Sequence, residues 1–103
     1  MIRTVFRLRD GHVYGFTVKG HSGTANAGSD IVCAAVSSAV YMTVNTLTDI
    51  IKVPTEIEAQ DGYLHCVVNS DNQSARDLLD GFKIHIANLV EQYPKAIKIT
   101  TEV

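Results

Sequence analysis

Cys33 and His21 are the two residues whose types and spacing best suit covalent chemistry. Between them runs Ser22-Gly23-Thr24-Ala25-Asn26-Ala27-Gly28-Ser29-Asp30, a stretch of small residues that leaves the space above a sulfur unfilled. A thiol becomes a strong nucleophile once a base takes its proton, and an imidazole that accepts the proton can return it to a leaving group. The pattern places His21 at the end of an extended segment and Cys33 in the first turn of a helix over residues 31–51. Unpaired amides and the positive end of the dipole favour a thiolate at such a helix start. Asp30 or Ser29 is suited to cap that helix. Asp30 has a second role open to it, orienting His21 as the third member of a triad, at the cost of like charge beside the thiolate. The loop over 22–29, with Ser22, Gly23 and Gly28, has no large apolar side chain to anchor it and is expected to move over a cleft.

The other reactive residues read as structural. Cys66 lies in Leu64-His65-Cys66-Val67-Val68, a strand pattern in which neighbours point to opposite faces, so His65 and Cys66 cannot serve one site. A buried structural thiol is the expectation for Cys66. His12 flanks a turn and His85 lies beside a helical stripe, and both read as bystanders. Ser29, Ser37 and Ser38 lack a nucleophile-elbow pattern and read as packing and capping residues. No spacing among the Cys and His residues matches a metal motif, so no metal site is expected.

The elements that must position the pair follow from periodicity. Ile2, Thr4, Phe6 and Leu8 alternate with more polar residues, Asp10-Gly11 follows, and Tyr14, Phe16 and Val18 alternate again, which is a hairpin. Val32, Val36, Val40, Thr43, Leu47 and Ile51 recur at helical spacing before Pro54. A second hairpin spans Thr55 to Gln60 and Tyr63 to Asn69 around Asp61-Gly62. Ser70-Asp71-Asn72 offers caps for a helix carrying Ala75, Leu79, Phe82, Ile86, Leu89 and Tyr93, and Ile97 to Val103 forms a last strand. The order ββαββαβ predicts an α+β domain over 1–103, a mostly antiparallel sheet with two helices on one face. The bare face then needs charged cover or a second subunit.

Length and composition bound the rest. With 103 residues, 46% of them hydrophobic, the chain supports one core and not two. No apolar run reads as approaching a membrane span and the start does not read as a secretory signal, so a cytoplasmic address with two reduced thiols is expected. The net charge of −2 argues against general nucleic-acid binding, and Arg3, Arg7 and Arg9 read as the solvated side of a strand.

Gly20-His21, the small-residue loop, Gly28 and the run Asp30-Ile31-Val32-Cys33-Ala34-Ala35-Val36-Ser37 resemble the signature of the ribosomal-processing cysteine protease family of bacteria. Ser22 stands where that pattern often has Ala, a small-for-small change. The order of elements agrees over nearly the whole chain. The resemblance implies a Cys-His endopeptidase, without cofactor, that removes a short N-terminal extension from a large-subunit ribosomal protein. It also implies a homodimer, which takes that extension as an extended peptide with an apolar or aromatic residue before the cut. A rival reading of another class is a non-catalytic dimeric ribosome-assembly factor whose Cys-His pair is structural. A second is a Cys-dependent hydrolase of non-peptide acyl groups.

Overall fold

The computed structural model describes residues 1–20 and 31–103 in full and residues 27–30 as backbone. The order is β1 (Ile2–Arg9), β2 (His12–Lys19), α1 (Ala27–Asn45) continued by a π-helical turn (Thr46–Ile51), β3 (Glu56–Gln60), β4 (Tyr63–Val67), α2 (Gln73–Gln92) and β5 (Ile97–Glu102). The strands form one sheet in the order β3-β4-β2-β1-β5. Every pairing is antiparallel except β1 with β5, which is parallel. The expected α+β architecture is thus the observed one.

Alternation decides which face is covered. Ile2, Thr4 and Phe6 of β1 are buried, Phe16 pairs with Phe6 across β2, and Cys66 pairs with Phe16 across β4. Phe82 of α2 closes on this row, its ring 4.6 Å from Phe16 and 5.7 Å from Phe6. The predicted stripe of α2 is buried at Ala75, Leu79, Phe82, Ile86 and Leu89, each large side chain contributing roughly 1.5–3 kcal/mol. Asn72 caps α2 by accepting the Ala75 N–H at 2.9 Å. The opposite face carries Arg3, Arg7, Glu58, Lys98 and Glu102, so charge covers it, with an Arg7–Glu102 contact at 3.8 Å. Arg9 stacks over the Tyr14 ring at 4.2 Å, a local role for the third arginine.

The turns carry their chemistry as read. Asp10 and Gly11 have φ of 54° and 80°, the left-handed pair that a two-residue hairpin with right-handed strand twist requires. His12 Nδ1 and the Val13 N–H both reach the Asp80 carboxylate at 2.9 Å, tying this hairpin to α2. Burial alone would raise the Asp80 carboxyl, but those two hydrogen bonds and the His12 and Lys83 charges outweigh it and hold it below its ordinary value.

Helix α1 differs from the sequence reading in three ways. It starts at Ala27, four residues before the expected residue 31. Its last turn is π-helical, where the Thr46 and Thr48 hydroxyls donate to the Met42 and Val44 carbonyls and so compete with the backbone ladder. The segment Ile31–Ile51 also reaches the length and, at 1.5, the mean hydropathy of a membrane-crossing helix, contrary to the expectation that no run approaches one. Val32, Val36, Val40 and Leu47 of that segment pack into the core of the domain, while its Ile31, Tyr41, Met42 and Ile50 are exposed.

Candidate active site

Cys33 is half-buried and lines an open cleft of about 280 Å³ between α1 and the end of the sheet. One wall is α1, where Cys33, Ser37 and Tyr41 recur every fourth residue and form a stripe beside the buried Val32, Val36 and Val40. The facing wall is the β3–β4 hairpin from Ala59 to Leu64, and the floor includes Ile2 and Val18. Such a cleft has an apolar floor beside a thiol, with hydroxyls and the Asp61 carboxylate at its rim.

The earlier helix start changes the geometry around Cys33. Asp30 lies inside the first turn of α1 and not at its N-cap, and Cys33 lies in the second turn. The capping role read for Asp30 and Ser29 is therefore corrected, as is the place of Gly28, which belongs to α1 and not to a loop. Small residues have no apolar periodicity, so the sequence shows no boundary where backbone hydrogen bonding extends the helix. His21, Ser22 and Gly23 lie outside the described residues.

The approach to His21 is nonetheless fixed on one side. Gly20 has φ of 94°, and its N–H donates to the Gly62 carbonyl at 2.9 Å, which joins the end of β2 to the β3–β4 turn. A Cβ at this position would lie 2.6 Å from the Met1 carbonyl oxygen. Both the left-handed backbone and the close approach demand glycine. Gly20→Ala is expected to lower stability by about 2 kcal/mol and to shift the segment leading to His21, read as a lower denaturation midpoint together with lower turnover.

The remaining candidates are placed away from the cleft. His65 lies on the helix-free face, its Nδ1 2.8 Å from the Thr17 hydroxyl, while Cys66 is fully buried on the other face. Burial pushes the Cys66 thiol up to about 11, so it stays protonated and inert near neutrality. Because the folded state binds this proton more tightly, the associated stability is present below about pH 9, the thiol's ordinary range, and is lost as pH rises through about 11. The stability difference between the parent and Cys66→Ala should accordingly shrink between pH 8.5 and 11, as denaturant titration would show. His85 and Ser38 border a separate groove of about 690 Å³ between α1 and α2, and among the described residues no cluster of metal-binding side chains occurs. Sequence reasoning missed Tyr41 and the β3–β4 hairpin as walls and read Ser37 as packing. The four-residue spacing of Ser37 and Tyr41 from Cys33 was the available signal.

A half-buried cysteine near the start of a helix thus opens into a cleft at the end of a five-stranded α+β sheet. The profile of the family described as cysteine protease Prp matches residues 1–98, and the chain belongs to that family. The ribosomal processing cysteine protease Prp of Bacillus subtilis is 24% identical over 107 residues, covering 97% of this chain and 96% of the relative. The protein of that name from Staphylococcus aureus is 26% identical over 93 residues, covering 87% and 88%. The crystal structure of the essential S. aureus protease with a covalently linked product peptide superposes with a TM-score of 0.89 at 25% identity, covering 99% of this chain and all of that one. SMU.848 from Streptococcus mutans superposes with a TM-score of 0.79 at 31% identity, covering 99% and 96%.

Proposed function

We propose that this chain is a Cys-His endopeptidase that removes the N-terminal extension of a large-subunit ribosomal protein in the cytoplasm. The observation that carries the reading is the thiol of Cys33 in an open cleft, in a chain of the Prp family. His21 takes the thiol proton, the Cys33 sulfur attacks the scissile carbonyl, and His21 returns the proton to the leaving amine. The resulting thioester is cleared by water, which His21 activates in turn. The apolar floor suits an apolar or aromatic residue before the cut.

Asp30, three residues before Cys33 in the same helix, takes the role of orienting His21 and balancing the imidazolium as it forms. The Cys33 amide lies within the helical ladder, so the oxyanion is assigned to the amides of the first turn, residues 27–30, toward which a helical side chain leans. The protein acts as a homodimer joined through its helices, because Met42 and Ile84 are exposed there while charge covers the bare sheet face.

The test is incubation of the purified protein with the precursor ribosomal protein, reading new N-termini by mass spectrometry. One new terminus at the end of the extension supports the reading. Binding without cleavage would favour the non-catalytic assembly factor instead.

A further inference from the structure

The edge of the sheet beside the cleft has an open hydrogen-bonding row. β3 is an outermost strand, and all five of its residues are exposed. Gln60 and Tyr63 flank the two-residue turn and face each other, so they exchange hydrogen bonds. Such pairs alternate along an antiparallel ladder, which makes Glu58 and Glu56 the next residues bonded to β4. The N–H and C=O groups of Ile57 and Ala59 therefore point away from the sheet. Among the described residues they meet no partner.

Exposed edges are commonly blunted by short length, charged side chains, proline or a bulge. β3 reads Glu56-Ile57-Glu58-Ala59-Gln60 and its register with β4 is unbroken, so neither proline nor a bulge closes this edge, and its two glutamates repel strands of like charge while leaving it open to a basic one. Ala59 also lines the cleft that holds Cys33, and a strand laid on β3 would run along the mouth of that cleft. The hairpin from Glu56 to Val67 carries Glu56, Glu58 and Asp61 and neither lysine nor arginine, which makes this edge acidic.

We infer that the substrate peptide docks as a sixth strand on β3, bonding through its backbone to Ile57 and Ala59, and that the docked stretch is basic. The inference rests on the peptidase reading and adds where the peptide lies and what charge it carries. Main-chain pairing supplies affinity in this mode of recognition, and the alternating side chains supply selectivity.

Binding to the Cys33→Ala variant separates docking from chemistry. The probe is a fluorescein-labelled peptide spanning the extension and the first mature residues of the ribosomal protein, followed by anisotropy. Ala59→Pro removes an outward N–H without touching the β3–β4 ladder, and proline is tolerated at such an edge, so the Kd should rise about tenfold with circular dichroism unchanged. A peptide N-methylated at alternate residues should bind the Cys33→Ala protein with a similar loss, which tests the same contact without any change at the edge. Glu56→Gln with Glu58→Gln should remove most of the salt dependence of binding. Equal affinity of the Ala59→Pro protein, or of the N-methylated peptide, would overturn the inference and leave the peptidase reading standing. Failure of the Cys33→Ala protein to bind any such peptide would overturn both. Loss of a dimer in sedimentation on Ala59→Pro with peptide affinity unchanged would show that a second copy of the chain occupies the edge, and would overturn it as well.

Discussion

Cys33→Ser is expected to lower kcat/KM at least about a hundredfold while peptide affinity stays within about twofold. The two side chains are nearly the same size, so the cleft between the Cys33-Ser37-Tyr41 stripe and the β3–β4 hairpin keeps its shape. What changes is the attacking atom, because a hydroxyl is far less ionised near neutrality and is a weaker nucleophile than a thiolate. No second thiol can take over, since Cys66 is fully buried and its thiol is pushed up to about 11. Rates of fragment formation by mass spectrometry, with binding measured separately, divide chemistry from affinity. Cleavage retained by Cys33→Ala would end the assignment of the nucleophile.

His21→Ala is expected to remove a comparable factor, on the order of a hundredfold or more, and to abolish the acid limb of the pH–rate profile. Loss of that limb is what distinguishes a base from a residue that merely packs. The described histidines give the experiment its force, because none of them lines the cleft. His65 bonds to Thr17 on the opposite face, His12 is held by Asp80 at the far hairpin, and His85 borders the groove between the helices. A variant that keeps both its activity and its acid limb would overturn the dyad, as there is no described histidine to replace His21. Native circular dichroism in the inactive variant would show that the loss is chemical.

The sequence by itself determined the elements and their faces. Period-two alternation in β1 and β2, the two Asp-Gly turns, the cap at Asn72 and the stripe from Ala75 to Leu89 all act over a few residues, and each appears where its local pattern placed it. The opposed faces of His65 and Cys66 were legible for the same reason, since adjacent strand residues must diverge. Residue types and the family signature pointed to His21 and Cys33 as a candidate pair, but such signals carry no geometry. The start of α1 was not legible, because Ala27, Gly28 and Ser29 suit a loop or a closely packed helix equally and bear no apolar periodicity. Only the tertiary structure decided that β5 runs parallel beside β1, that β3 is left at an edge, and that its hairpin faces Cys33 across a cleft. Those facts depend on contacts between segments far apart in the chain. Periodicity states which face of each element is apolar, but several strand orders bury the same faces, and the choice among them is made only when whole elements pack together.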